Sequence, residues 1–173
     1  MGDGRDWTFV LDSDCEECGV DVRHLDDADL AGLIRSAGRT WQLLLDEHAD
    51  DAAVRTRPSP EVWAPLEYGE HVRDVLRLYR ERALLMLSQD DPMFPDWDPD
   101  TTAAAYGTSD ARTVGAEIAA AADALADVYA ALDAAEFARP GRRSDGATFQ
   151  VGSLGRYMLH DVLHHVRDAD RAL

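Results

Sequence analysis

Two histidines near the end of the chain, His160 and His164, have the spacing of a pair of metal ligands. They stand four positions apart, with no glycine or proline between them. On a helix such residues share one face, with Cβ atoms about 5–6 Å apart, and two imidazoles placed in this way can share one metal ion. His71 lies in another strongly helical segment and can close the site from a neighbouring helix. The sequence therefore predicts a metal centre of three histidines.

Three imidazole ligands would leave coordination positions open for water or a substrate, which is typical of a catalytic metal. Imidazole suits Zn²⁺, our first candidate, and also Ni²⁺, Fe²⁺ or Co²⁺. One alternative stays open on the helical wheel of this segment. His165 lies inside the apolar arc, whereas His160 and His164 lie beyond its edge. A pairing of Asp161 with His165 therefore competes with the His160–His164 pair.

Cys15 and Cys18 form a C-x-x-C pair and are the two cysteines of the chain. Two thiols cannot make a four-cysteine site, but His24 can complete a partial zinc site with a fourth ligand such as His48 or an aspartate. The pair can also cycle between dithiol and disulfide, although the βαβ context of thioredoxin-like motifs is missing. A third interpretation is a reduced, packed pair. Of these three interpretations, we favour a structural zinc site over a redox pair and over a reduced, packed pair.

The rest of the chain predicts an all-α fold, a four-helix bundle, because apolar residues recur at helical spacing in four long segments. The segments span about residues 26–50, 64–88, 110–132 and 151–173. Asp26 or Asp27 can cap the first helix, and Ser109 or Asp110 can cap the third. The connection over residues 89–110, rich in Pro, Asp and Trp, is long for a compact domain, and such loops often bind ligands.

Residues 1–25 differ in composition from the rest. Trp7–Leu11 is a short β-favouring run that precedes the C-x-x-C pair. We expect residues 1–25 to form a short extended arm that packs on the domain through Trp7 and Phe9, and residues 26–173 to form the bundle.

Net charge and composition exclude several kinds of function. The formal charge is −17, and all 17 cationic side chains are arginines, which excludes lysine nucleophiles and Schiff bases. A protein with this much negative charge would repel the phosphate backbone of a nucleic acid, and we therefore expect no nucleic-acid partner. No apolar run approaches the about 20 residues of a membrane span, and no leader resembles a signal peptide. We therefore expect a cytoplasmic protein without membrane contact, and the bundle faces are compatible with a homodimer.

Two stretches resemble the DinB-like four-helix superfamily. Trp63–Asp74 looks like its second helix, in which an aromatic residue and a short polar turn precede a metal-binding histidine. The motif His160-x-x-x-His164-His165 resembles that of its fourth helix. The resemblance covers about residues 26–173. The superfamily includes mycothiol-dependent maleylpyruvate isomerase and the bacillithiol and mycothiol S-transferases.

The resemblance implies a divalent metal on three histidines, by position His71, His160 and His164. It also implies an activity: the metal binds a low-molecular-weight thiol such as mycothiol, lowers its pKa and presents the thiolate to an electrophilic small molecule. On this view the protein is a thiol S-transferase or an isomerase. The C-x-x-C pair departs from the superfamily pattern.

Other residues near the predicted ligands can bind a substrate. Guanidinium groups hold carboxylates in a bidentate manner, although arginines also offset an acidic surface. Tyrosines in helical register with the ligands can line a pocket or simply pack, and Glu67 and Asp161 can accept hydrogen bonds from imidazole N–H groups. The candidate substrate-binding residues are Tyr68, Arg142, Arg143, Arg156 and Tyr157.

Two other functions are compatible with the same predicted metal site. One is a hydrolase that uses metal-bound hydroxide, and the other is a non-catalytic stress protein that binds a metal or a small ligand.

Overall fold

The computed structural model describes residues 7–95 and 97–173. Within them lie six α-helices, three short 3-10 helices and a two-stranded antiparallel sheet. The α-helices and strands, in chain order, are α1 (Leu30–Glu47), α2 (Pro65–Ser88), α3 (Pro99–Ala103), α4 (Ala111–Ala130), α5 (Ala134–Phe137), β1 (Pro140–Arg142), β2 (Thr148–Gln150) and α6 (Val151–Ala172). The 3-10 helices are Trp7–Leu11, Asp27–Asp29 and Ala52–Arg55. The predicted all-α four-helix bundle is confirmed, with α1, α2, α4 and α6 as its long helices.

Local sequence signals explain where these helices begin. Pro65 occupies the first turn of α2, where its missing N–H costs nothing. The α4 helix begins after Asp110, whose side chain accepts from the backbone N–H of Thr113 at 2.9 Å, as predicted. The predicted cap of α1, Asp26 or Asp27, is wrong, because α1 begins after Asp29, and Asp26 makes no side-chain cap hydrogen bond. A 3-10 turn precedes α1 instead.

The four long helices pack in the cyclic order α1, α4, α2, α6. The α1 and α4 helices run antiparallel, because Arg35 near the start of α1 pairs with Asp127 near the end of α4. They also approach closely at Gly38, where a Cβ would overlap the Cβ of Ala122. Sequential helices α1 and α2 are therefore diagonal rather than adjacent.

Helices α2 and α6 are also antiparallel, since Tyr68 packs on His165 whereas Tyr79 packs on Tyr157. Helices α2 and α4 are parallel neighbours, because Gly69 lies against Val114 and Arg77 pairs with Glu117 farther along both helices. Because α2 and α4 run in the same direction, the connection between them must travel back along the length of the bundle. As α2 has 24 residues, the return covers about 36 Å, which explains the long connection between them.

The connection between α2 and α4 and the connection between α4 and α6 contain the shorter helices α3 and α5 and the two strands. Residues 89–110 include α3 and place Phe94 and Tyr106 in buried positions. The next connection contains α5 and the β1–β2 hairpin, in which Gly141 pairs with Phe149. The two connections are joined by a hydrogen bond from Phe94 N–H to the carbonyl of Arg142 at 2.8 Å. No helix among the described residues is long and apolar enough to cross a membrane.

The described part of the N-terminal arm packs on α6, but its first residues are not extended. Trp7–Leu11 forms a 3-10 helix, a difference from the predicted β-favouring run, because an isolated strand has no partner for its backbone groups. Val10, Cys15 and Val22 are at most 1% exposed and form a small apolar cluster. Arg156 of α6 fastens the next part of the segment, donating to Asp27 at 2.6 Å and to the carbonyl of Leu25 at 3.1 Å.

Candidate metal centres

Helix α6 presents potential metal ligands on two of its faces. His160 and His164 face the N-terminal segment and group with Cys15 and Cys18. The other face is directed toward α2, where Asp161 and His165 group with His71. In both groups, the ligand atoms all lie within 4.8 Å of one another.

The first group has two thiols and two imidazoles at the distances of a tetrahedral site. The Sγ of Cys15 lies 3.7 Å from Nδ1 of His164, and the Sγ of Cys18 lies 3.6 Å from Nε2 of His160. Zinc–sulfur bonds of about 2.3 Å and zinc–nitrogen bonds of about 2.0–2.1 Å place tetrahedral S and N ligands about 3.5–3.6 Å apart. The group therefore needs little rearrangement to surround one ion.

This first group is shielded from solvent. Cys15 is fully buried, and His160 and His164 are 3% and 8% exposed. The ring of Trp7 covers both imidazoles, with centroid distances of 5.8 and 5.1 Å. Burial lowers the pKa of His160 to about 4 and also lowers that of His164. Both rings are therefore neutral near pH 7, which is the form that binds metals.

The second group joins helices α2 and α6 through three side chains. The Asp161 carboxylate lies between two rings, with Oδ1 3.4 Å from Nε2 of His165 and Oδ2 3.8 Å from Nε2 of His71. The rings of His71 and His165 meet edge to face, 5.0 Å apart. Two imidazoles and one carboxylate are a common ligand set of catalytic metals that keep positions open.

Asp168 holds His165 in the orientation that this second group needs. Its Oδ2 lies 2.9 Å from Nδ1 of His165, which leaves Nε2 directed at Asp161. Burial by itself would lower the pKa of His165, but the carboxylates of Asp161 and Asp168 outweigh it and raise the pKa to about 9. Burial likewise opposes ionisation of Asp161, yet His165 and His71 keep its pKa below the usual value. The same Oδ2 of Asp168 lies 3.5 Å from Nε2 of His164.

Aromatic side chains surround the second group. The Trp97 ring, from the connection after α2, stacks on His71 with centroids 5.6 Å apart, and Trp63 approaches the same ring at 5.5 Å. Tyr68 packs on His165 at 5.3 Å. These rings give the three ligands an apolar environment, which strengthens electrostatic interactions within it.

The buried acidic residues of α2 fix neighbouring segments. Glu70, 1% exposed, accepts from the backbone N–H of Gly107 and from the hydroxyl of Ser109. Glu67 accepts two hydrogen bonds from Arg57, at 2.6 and 2.7 Å, and one from the N–H of Ala64. Burial would raise the pKa of Glu67, but these donors hold it below its usual value. Glu67 thus anchors the connection that precedes α2, and Glu70 anchors the end of the connection that follows it.

The three histidines of the predicted centre are divided between the two groups. His71 lies with Asp161 and His165, whereas His160 and His164 lie with the cysteines. The Asp161–His165 pairing, open as an alternative in the sequence, is the one that the structure brings to His71. His24, the ligand expected for the cysteines, is exposed and belongs to neither group.

The other predicted substrate-binding residues have partners within the protein. Tyr68 lines the second group. Arg142 pairs with Asp91 at 2.7 Å, and Arg156 with Asp27 as described above. These guanidinium groups offset acidic side chains, the alternative raised from the sequence.

Arg143 and Tyr157 contact each other, and neither belongs to a group of potential ligands. Arg143 donates to Asp145 at 2.8 Å and to the hydroxyl of Tyr157 at 3.2 Å. The Tyr157 ring packs on Tyr79 of α2.

Sequence reasoning missed Asp168 and the meeting of the cysteines with His160 and His164. The available signals were the position of His165 inside the apolar arc of α6 and the C-x-x-C and H-x-x-x-H spacings, which together are those of a zinc finger. The long separation of the two motifs along the chain concealed their connection.

Comparisons with known proteins agree with this architecture. No curated protein matches the sequence. The chain is similar in structure to YfiT from Bacillus subtilis, described as "a probable metal-dependent hydrolase with an unusual four-helix bundle topology", with a TM-score of 0.73 and 15% sequence identity. The match covers 84% of this chain and 86% of that chain. The sequence profile of the DinB superfamily matches residues 33–169, and the chain therefore belongs to the DinB superfamily.

Proposed function

We propose that this protein is a metal-dependent enzyme whose catalytic ion is held by His71, Asp161 and His165. The observation that carries the proposal is the convergence of two imidazoles and one carboxylate from two facing helices, with all ligand atoms within 4.8 Å of one another. Three protein ligands leave room in the coordination sphere for a substrate or a nucleophile. This centre lies on the face of α6 next to the His160–His164 pair, which the sequence predicts as ligands.

The residues fit a divalent ion on chemical grounds. Imidazole and carboxylate suit Zn²⁺, our first candidate, and also Fe²⁺ or Ni²⁺. Asp168 contacts the nitrogen of His165 that points away from the centre, as is usual for metal-binding histidines. Nε2 of His71 faces the Asp161 carboxylate at 3.8 Å and is the ring nitrogen that would bind the ion, whereas Nδ1 is buried without a hydrogen-bond partner among the described residues.

An ion at this position would lower the pKa of a coordinated thiol or water and so supply a nucleophile near neutral pH. The chain itself contributes orientation and an apolar environment. Asp168 fixes the ring of His165, and Glu70 fixes the end of the connection that carries Trp97. Trp63, Tyr68 and Trp97 limit the access of water.

We propose a low-molecular-weight thiol such as mycothiol as the nucleophile, which makes the protein a thiol S-transferase or an isomerase acting on a small electrophile. Hydrolysis by activated water usually employs a free carboxylate or histidine as general base. Among the described residues near His71, the carboxylates already have partners: Glu67 binds Arg57, Glu70 binds Ser109, and Asp168 binds His165. A thiol needs no such base, because a coordinating thiol loses its proton to solvent.

Hydrolysis is the second candidate. Two histidines and one carboxylate are the zinc ligands of several hydrolases, and YfiT, similar in fold, is described as a probable metal-dependent hydrolase. The non-catalytic alternative, a stress protein that binds a metal or a small ligand, predicts bound metal without turnover.

The test combines metal binding with a turnover assay. Metal content and affinity are compared for the wild type, His71→Ala, His165→Ala and the control His24→Ala, which changes an exposed histidine outside both groups. We expect the first two variants to lose one ion per chain and the control to retain it. The metal-loaded protein is then assayed on small electrophiles and on ester and amide substrates, with and without thiol.

Turnover that requires thiol supports the transferase, and turnover without thiol supports the hydrolase. The same metal content in His71→Ala, His165→Ala and the wild type would contradict the proposed centre.

A further inference from the structure

The four residues on the other face of α6 form a complete set of zinc ligands. We propose that Cys15, Cys18, His160 and His164 bind a structural Zn²⁺ ion. This site is separate from the proposed catalytic centre and does not depend on it. Two thiolates and two imidazoles are a tetrahedral donor set that zinc prefers.

The backbone around the two cysteines is already shaped to present both sulfur atoms. Gly19 N–H donates to the carbonyl of Cys15 at 2.7 Å, and the N–H of Cys15 donates to the carbonyl of Val20. Gly19 has φ +73°, a conformation that strains other residues. The N–H of Val20 donates to Sγ of Cys18 at 3.5 Å and so fixes the position of this sulfur. The turn thus orients two sulfur ligands in advance of metal binding.

The closed coordination distinguishes this site from a catalytic one. Four protein ligands would satisfy a tetrahedral ion and leave no position for a substrate. Cys15 is fully buried, and the Trp7 ring lies against both imidazoles. Although hydrogen bonds between thiols and imidazoles could account for either S–N distance alone, they do not require all four ligand atoms to converge within 4.8 Å.

A zinc ion here would fasten the N-terminal segment to α6. Among the described residues, the apolar cluster of this segment has three buried members, which provide little stabilisation from burial. His164 also contacts Asp168, the residue that orients His165. An ion held by His164 would therefore restrict movement of the turn of α6 that carries the proposed catalytic ligands.

The first experiment uses the unmodified protein, prepared without a histidine tag or chelator. Titration with p-hydroxymercuribenzoate, which forms a mercury–sulfur bond with each thiolate and displaces a metal held by it, is followed with a chromogenic zinc indicator. We expect one zinc ion to be released for each pair of thiols that reacts. Replacement of the zinc by Co²⁺ should then give the strong visible bands of tetrahedral cobalt and a thiolate-to-cobalt charge-transfer band.

Variants separate this site from the proposed catalytic one. Cys18→Ser should lose the mercurial-released zinc, and His160→Ala should lose it as well, whereas His71→Ala and His24→Ala should retain it. His24→Ala also tests the ligand expected from the sequence. If Cys18→Ser does not fold, the titration and the cobalt spectrum of the wild type decide the question.

Three results would overturn the proposal. They are thiols that react without releasing metal, a cobalt protein without the charge-transfer band, and a purified native protein in which Cys15 and Cys18 are joined by a disulfide.

Discussion

Replacement of Asp168 by asparagine tests whether one carboxylate supports both proposed metal sites. Asp168→Asn keeps the shape of the side chain but removes the charge that lies 2.9 Å from Nδ1 of His165 and 3.5 Å from Nε2 of His164. Loss of such a supporting residue typically weakens metal affinity about 10–100-fold, equivalent to about 1.4–2.8 kcal/mol of binding free energy. Because the contact with His165 is shorter, the site with His71 should lose more affinity than the site with the cysteines.

The assay is a competition titration with a chromogenic chelator, in which the mercurial identifies the ion held by thiolates. Asp170→Asn is a matched control, because it changes the same kind of side chain two residues away at an exposed position of α6. Circular dichroism should show both variants folded. Equal metal affinities for Asp168→Asn and Asp170→Asn at the site with His71 would refute the role assigned to Asp168.

Three further predictions concern stability, each measured by urea denaturation. Gly38→Ala should lower the free energy of unfolding by about 1–3 kcal/mol, because its Cβ would overlap a methyl group of α4. The control Gly32→Ala, which meets nothing within 4 Å, should raise it by about 0.5–1 kcal/mol; equal effects would contradict the close helix contact. Trp41→Phe should cost about 1–3 kcal/mol, because the buried indole donates to a carbonyl of α6 at 3.0 Å, and an unchanged stability would contradict that bond. Arg57→Ala should cost about 1 kcal/mol at pH 7. Because the pKa of Glu67 lies below its usual value, this difference is fully present above about pH 4.5 and should vanish as the pH falls through the folded-state pKa; a loss that persists in acid would count against the ion pair.

The helices could be predicted from the sequence because their signals are local. The apolar periodicity predicted all four long helices within a few residues, and Pro65 and Asp110 marked the beginnings of α2 and α4. Their cyclic order could not be predicted in the same way. The connections between the long helices are too long to force sequential helices to be neighbours, so the packing of α1 against α4 depends on contacts such as Gly38 with Ala122.

The grouping of the ligands depends on which surface covers each face of α6. His160 and His164 lie beyond the apolar arc of the helix, where exposure is the ordinary expectation. They are buried because the N-terminal segment covers them with Trp7 and the two cysteines. That contact joins remote parts of the chain and leaves no periodic signal in the sequence. His165, in contrast, lies inside the arc, and its half-buried position follows from the helix pattern alone.

The contact between the cysteines and α6 joins residues that are far apart in the sequence. Cys15 and His164 are 149 positions apart, and Cys18 and His160 are 142 apart. In a zinc finger about 12 residues separate the two ligand pairs, so the metal can organise a short peptide locally. Here the unfolded chain would have to close a very long loop, and a cross-link that closes even about 100 residues removes roughly 5 kcal/mol of entropy from the unfolded state in the chain-entropy model. An ion bound by all four residues would therefore discriminate strongly between folded and unfolded chains, and its occupancy would report the folded fraction of the whole bundle.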